Sequence, residues 1–227
     1  MKNYFQKKIN FISLLCVIIL SLINIINIIY NTPMIPDQHW AQKIFYVHVP
    51  SAWVGFLSYF VVMISGIMYL NSNDEKWDYV SLSAAEIGTF FMGLVLITGP
   101  IWATPIWGQP WIWEPRLVTT LILFLIFIGY FMMRTFGGYL ERMKRNAAVL
   151  GIVSFINVPI IKFSVDWWST LHQASSINIL SKTSIHSSML IPLAIMTAAF
   201  TLFSILIFLM KYNTELIKIK NKGLDRL

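Results

Sequence analysis

Residues 9–30 read INFISLLCVIILSLINIINIIY, a run dominated by apolar side chains and free of charged residues. A helix needs about 20 predominantly apolar residues to cross the hydrocarbon core of a bilayer. The run exceeds the roughly 7–15 residues of a signal-peptide apolar core, and no small-residue cleavage site follows it. We therefore predict that it is a retained membrane-spanning helix.

Five further apolar runs follow the first one. They predict spans at about 44–70, 80–101, 117–134, 146–163 and 187–211. In a chain of 227 residues, six spans leave only short connections, so we predict one polytopic, all-α membrane domain over 1–227. The composition agrees, because 57% of the residues are hydrophobic and 12% are charged. Soluble domains average about 45–50% apolar and about 25% charged residues.

Basic residues divide unevenly between the two sides that six spans define. The N-terminus, 71–79, 135–145 and the C-terminal tail, together with Arg134 and Lys211 at the adjoining span ends, hold 13 of the 17 lysines and arginines. The other side holds Lys43, Arg116, Lys162 and Lys182. The positive-inside rule then predicts that both termini are cytoplasmic. The net charge of +7 is explained by this topology, and we predict no nucleic-acid partner.

The sequence carries none of the common signatures of catalysis. It has no Walker loop, dinucleotide fingerprint, H-E-x-x-H motif or nucleophile elbow. Its single cysteine, Cys16, can form neither an intrachain disulfide nor a cysteine-based metal site. We therefore predict that the protein is not an enzyme, and that it supplies binding and orientation to another group.

Tryptophan is concentrated on the predicted outer side. Of nine tryptophans, only Trp77 falls on the cytoplasmic side. The others are Trp40, Trp53, Trp102, Trp107, Trp111, Trp113, Trp167 and Trp168. Interfacial anchoring places Trp at both membrane surfaces, so the bias favours an aromatic surface for a flat apolar ligand. Anchoring remains an alternative, above all for Trp40.

The densest aromatic stretch is 99–117, GPIWATPIWGQPWIWEPRL. Its prolines recur every five residues, at Pro100, Pro105, Pro110 and Pro115. Because proline lacks a backbone donor and restricts the preceding residue, we predict no regular helix here. We expect a stiff outer loop at about 102–116, or a short broken interfacial helix, that presents Trp107, Trp111 and Trp113 together.

Two of the four histidines have a setting that suggests ligation. His48 lies in FYVHVPSAW, about four residues inside the second span. An ionisable group within a span indicates a functional site. His172 lies in DWWSTLHQ, before the sixth span. A structural role for each histidine remains open, and His39 and His186 have no supporting motif.

Haem matches the chemistry of this residue set. Its macrocycle is a flat apolar plate that packs against aromatic rings, and its iron takes histidine nitrogen as an axial ligand. Its propionates suit the planar guanidinium of Arg116. Arg116 could instead snorkel at the mouth of the fourth span. Gly108 has no side chain, so a ligand could approach the backbone there.

Residues 107–117, WGQPWIWEPRL, resemble the signature W-G-x-x-W-x-W-D-x-R-L of the haem-handling proteins of cytochrome c biogenesis. FYVHVPSAW, NVPIIKFSVDWW and VDWWSTLHQ are similar to segments of one branch, the haem exporter C family of the System I maturation pathway. The likeness runs from about 40 to 175. One position departs from the signature, because Glu114 stands where Asp is usual and Pro115 follows it.

The resemblance implies a multi-pass protein of the bacterial inner membrane that holds haem at the outer face. It implies delivery of b-type, non-covalently bound haem to a membrane-tethered periplasmic chaperone. The further partners would be ATP-binding cassette subunits, a small membrane subunit and membrane lipid. A b-type cytochrome that transfers electrons is the alternative, although it would need histidine pairs buried within spans.

The resemblance also implies roles for individual residues. His48 and His172 match the two axial ligands of the haem iron. Matches to the signature that would contact the haem are Trp107, Gly108, Trp111, Trp113, Glu114 and Arg116. No residue is predicted to be catalytic.

Overall fold

Every regular element that the structure describes is helical. The computed structural model describes residues 2–137, 140–168, 170–172 and 185–224. The helices are α1 Lys2–Asn31, α2 Phe45–Ser72, α3 Glu75–Trp107, α4 Pro115–Phe136, α5 Glu141–Phe155, α6 Asn157–Trp167 and α7 Ser187–Leu224. A 3₁₀ helix at His39–Ile44 leads into α2.

Within the described residues, six segments are long and apolar enough to cross a membrane. They are Ile9–Asn31, His39–Ser72, Glu75–Trp107, Pro115–Phe136, Glu141–Trp167 and Ser187–Ile217. The prediction of an all-α protein with six transmembrane helices is therefore confirmed. The cytoplasmic placement of the termini and the outer placement of the tryptophan-rich loop stay predictions.

The predicted loop at 102–116 is wrong at both ends, because 102–107 and 115–116 are helical. Helix α3 continues to Trp107 with Pro100 and Pro105 in its interior, so only 108–114 is non-helical. Proline removes one hydrogen bond from a helix, and transmembrane helices tolerate that loss. Pro115 stands at the first position of α4, where the missing N–H has no intrahelical partner to lose.

The predicted fifth span at 146–163 consists of two helices. Helix α5 ends at Phe155 and α6 begins at Asn157, and together they cover Glu141–Trp167. Pro159 explains the break, because it has no N–H and its ring excludes the carbonyl four residues earlier, that of Phe155. Residues 173–184, which include Lys182 of the predicted outer side, lie outside the described residues.

The chain divides into two compact units, and unit 1 takes its described residues from Met1–Val54, Leu94–Ile112 and Gln173–Leu206. The amide of Asn24 on α1 donates to the carbonyl of Pro192 on α7 at 2.9 Å. The buried apolar residues of its core are Ile28, Phe45, Tyr46, Met189, Leu193 and Met196. Trp102 packs against this cluster, which fixes one face of the indole.

Unit 2 takes its described residues from Gly55–Gly93, Trp113–His172 and Ile207–Leu227. Its core is centred on Tyr59 of α2, whose ring stacks on Phe127 of α4 at 3.9 Å between centroids. Helix α4 also packs against α5 and α6. Asp78 of α3 and Arg134 of α4 form a bidentate ion pair at 2.6 and 2.7 Å, which ties the start of one helix to the end of the other.

Candidate functional site

His48 lies in the first turn of α2, and its imidazole contacts α3 in unit 1. Its Nδ1 is 2.9 Å from Thr98 Oγ1. The Thr98 hydroxyl donates its own hydrogen to Leu94 O at 2.7 Å, so the oxygen accepts a hydrogen from Nδ1. This network assigns the Nδ1–H tautomer to His48. Nε2 is therefore the nitrogen that would ligate a metal.

The close approach of His48 to α3 depends on Gly99. A Cβ added at that glycine would lie 3.3 Å from Cε1 of the imidazole. Trp102, one turn further along α3, meets the imidazole edge-on at 5.7 Å between ring centroids. Its Nε1 donates to Gln38 Oε1 at 3.2 Å, which orients the indole.

The chain leaves α3 at Gly108. This glycine has φ +74°, and its N–H donates to Thr104 O at 2.9 Å, the left-handed ending that favours glycine. No heavy atom of the described residues lies within 4 Å of an added Cβ, so this part of the chain leaves the backbone open to a ligand. Trp107 and Trp111, on either side of it, are half-buried in unit 1.

Glu114 and His172 form a second candidate cluster, which lies in unit 2. The Glu114 side chain is buried, and its Oε1 pairs with Nδ1 of His172. Its Oε2 accepts the backbone N–H of Leu171 at 3.0 Å. The carboxylate is therefore held at both oxygens by adjacent residues of one segment. A buried carboxylate on Nδ1 is the usual support of a metal-ligating histidine.

The imidazole of His172 is neutral in this setting. Burial lowers the pKa of His172 below its usual value, because it disfavours the imidazolium more than the Glu114 carboxylate favours it. A neutral imidazole that donates Nδ1–H to a carboxylate carries its lone pair on Nε2. His172 therefore has the same tautomer as His48, although its Nδ1–H donates to a carboxylate instead of a hydroxyl.

Pro115 helps to position the carboxylate of Glu114. A residue before proline is pushed toward extended backbone, and Glu114 has φ −103° and ψ 157°. Glu114 also stands at the N-cap of α4, yet its side chain makes no capping hydrogen bond. The carboxylate is committed to His172 and Leu171 instead.

Arg116 lies in the first turn of α4 and points its guanidinium at α6. Its Nε donates to Ile161 O at 3.4 Å, and its Nη2 donates to Lys162 O at 3.2 Å. The contact of Arg116 with a propionate stays a prediction. The two hydrogen bonds to α6 are an additional, structural role. A guanidinium has five N–H donors, so the two roles are compatible.

Three tryptophans of unit 2, Trp113, Trp167 and Trp168, are exposed. Trp113 is 78% exposed, the most open of the signature tryptophans. Trp167 and Trp168 at the end of α6 meet edge-on at 5.7 Å and are also exposed. An exposed indole in a membrane protein offers contact area to a lipid, a partner or a flat ligand.

Comparison with known proteins identifies the family. The sequence profile described as Heme exporter protein C matches residues 2–226. The chain belongs to the haem exporter protein C family. As a family member with six membrane-spanning helices, it is a multi-pass inner-membrane protein.

Individual relatives carry the same name. The chain is 38% identical to Heme exporter protein C of Bradyrhizobium diazoefficiens over 200 residues, covering 87% of this chain and 76% of the relative. It is 36% identical to that of Haemophilus influenzae over 178 residues, covering 78% and 72%. It is 28% identical to that of Escherichia coli K12 over 186 residues, covering 82% and 75%.

The structure adds residues that the family signature does not contain. Thr98 and Gly99 position His48, and Leu171 helps to hold Glu114. A threonine and a glycine directly ahead of Pro100 in the third span were the only sequence signal for the first two. Among the described residues His39 has no such support, and Nδ1 of His186 accepts the backbone N–H of Ser188 at 3.3 Å, which leaves the ring hydrogen on Nε2.

Proposed function

We propose that this chain binds haem at the outer face of the inner membrane and delivers it to a periplasmic haem chaperone for cytochrome c maturation. One observation carries the proposal. Both candidate ligands, His48 and His172, have Nδ1–H engaged by a hydrogen-bond acceptor, so each has the tautomer that presents Nε2 to iron. Membership of the haem exporter protein C family supports the same role.

The haem is cargo, held without a covalent bond and with both axial positions filled by histidine. It is therefore of b type while this chain holds it. Trp107, Trp111 and Trp113 supply aromatic area to its ring, and Gly108 lets the ring approach the backbone. Arg116 lies near a propionate and keeps its hydrogen bonds to α6.

The chain needs no turnover chemistry of its own for this role. It binds and orients the haem, and the reaction with the acceptor belongs to the haem and the chaperone. Its partners are the membrane-tethered chaperone, ATP-binding cassette subunits and a small membrane subunit. An electron-transferring b-type cytochrome is not favoured, because the chain belongs to an exporter family.

Haem loading of the purified chain tests the proposal. We expect the full chain, purified from haem-replete cells, to show a haem Soret band characteristic of two nitrogen ligands. Replacing His48 or His172 by Ala should change that spectrum and reduce transfer to the chaperone. His186→Ala is the matched control, because Nδ1 of His186 accepts the N–H of Ser188 and its Nε2 therefore carries the ring hydrogen; its spectrum should match the unsubstituted chain. An unchanged spectrum in the His48→Ala, His172→Ala double variant would reject the axial assignment.

A further inference from the structure

The two candidate ligands are supported by chemically different partners. Nδ1 of His172 donates to a buried carboxylate, and that carboxylate is held by a second hydrogen bond from Leu171 N–H at 3.0 Å. Nδ1 of His48 donates to the hydroxyl of Thr98 at 2.9 Å, whose oxygen carries no formal charge. Each Nδ1 partner lies in the same unit as its histidine.

A carboxylate changes an imidazole more than a hydroxyl does. When Nδ1–H donates to a carboxylate, negative charge is shared with the ring, and Nε2 becomes a stronger donor to a metal. Burial strengthens this effect, because hydrogen bonds are electrostatically stronger at low dielectric, and Glu114 is only 6% exposed. A threonine hydroxyl that already donates to Leu94 O orients His48 but adds little charge.

We infer that His172 is the firmly held axial ligand of the haem and that His48 is the ligand that exchanges during delivery, with Glu114 as the positioning residue that creates the difference. This inference rests on the proposed function. In the exchange, the bond between iron and Nε2 of His48 breaks, and a donor atom of the acceptor takes the vacated position. No electron is transferred, and the haem stays bound through His172 until the acceptor has engaged it.

The asymmetry also gives delivery an order. If both axial bonds were equally strong, either could break first. In half of the cases the iron would then be exposed on the face of the haem that the acceptor does not approach. A single weaker bond makes one face open first. Glu114 therefore acts on delivery through His172, and it need not contact the haem.

Haem loss from single-histidine variants tests the inference. The full chain and its variants are purified in detergent and loaded with haem, and the rate of haem loss to excess apomyoglobin is followed by absorbance. His172→Ala retains only His48, and His48→Ala retains only His172. Loss of the residue that hydrogen-bonds a ligating histidine typically lowers metal affinity about 10–100-fold. His172→Ala, which retains only the weakly supported His48, should therefore lose haem about tenfold or more faster than His48→Ala.

Substitutions of the supporting residues locate the cause. Added to His48→Ala, Glu114→Gln should remove most of the difference in haem-loss rate between the two single-histidine variants. It keeps the shape of the Glu114 side chain and removes its charge. Glu114→Asp keeps a carboxylate and should retain more of the difference than Gln does. Added to His172→Ala, Thr98→Val should change the rate much less. The iron–histidine stretching frequency of the reduced haem should fall with Glu114→Gln in the His48→Ala background, since it reports the donor strength of His172.

The outcomes separate this inference from the proposed function. Equal rates of haem loss from the two single-histidine variants, or a stretching frequency that Glu114→Gln leaves unchanged, would overturn the inference and leave both histidines as ligands. Spectra and rates identical to those of the unsubstituted chain in both variants would reject the axial assignment itself. If an alanine variant fails to fold, the corresponding Gln variant provides the same comparison.

Discussion

Gly99 offers a direct probe of how α3 positions His48. In the Gly99→Ala variant the new Cβ would sit 3.3 Å from Cε1 of the imidazole, closer than carbon atoms normally pack. The imidazole must move away from α3 by a few tenths of an ångström. Thr98 lies on the same helix, so the bond from Nδ1 to Oγ1 lengthens from 2.9 Å toward about 3.2 Å, the upper limit of good hydrogen-bond geometry.

The size of the effect follows from that bond. A hydrogen bond of this kind contributes about 1 kcal/mol net, so its partial loss should weaken haem binding about two- to fivefold. The spectrum should keep two nitrogen ligands, because the imidazole moves without leaving the iron. Gly99→Val adds two more methyl groups at the same point and should displace His48 from the iron.

A matched control lies in the same helix. Gly93→Ala makes the same change in helix propensity, and among the described residues its Cβ would meet only two ring carbons of Phe124, at an ordinary 3.4 and 3.9 Å. Its haem affinity should equal that of the unsubstituted chain. The assay is a haem titration of the purified chain followed at the Soret band. If Gly99→Ala and Gly99→Val both bind haem with unchanged affinity and spectrum, the packing of His48 on α3 does not control ligation.

Two further predictions concern topology and stability. In a chain whose Cys16 is replaced by Ser, a cysteine at Gln109 should react with a membrane-impermeant thiol reagent on whole spheroplasts, and a cysteine at Ser72 should not; the reverse labelling would overturn the predicted orientation. Asp78→Ala should lower the free energy of unfolding by about 3–5 kcal/mol, because it strands the buried charge of Arg134. Thermal unfolding in detergent measures this loss, and a change below about 1 kcal/mol would show that the pair is well solvated.

The number of spans and most of their bounds were predictable from the sequence, because span length depends on local composition. The first span was expected at 9–30 and is found at Ile9–Asn31. The third span was expected to end at 101 and extends to Trp107. The expected helix end relied on the prolines, but Pro100 and Pro105 both lie inside α3.

The supporting contacts of the site were not predictable in the same way. His48 and Thr98 are 50 residues apart, and Glu114 and His172 are 58 residues apart. Such pairs form only when tertiary packing brings helices or segments together, and one sequence contains no record of that packing. The histidines themselves could be selected from the sequence, because an ionisable group at the edge of a span is costly without a function.

The departure from the family signature at Glu114 gains a physical explanation from these contacts. Glu114 carries one methylene more than the Asp that is usual at this position. In the structure Glu114 occupies the N-cap of α4, but its side chain does not cap the helix. The side chain reaches Nδ1 of His172 and the N–H of Leu171 instead. Pro115, the neighbouring departure, favours the extended backbone from which this reach starts. The two changes therefore act together, and Pro115→Ala should loosen the support of His172 even though it leaves every side chain that contacts the histidine in place.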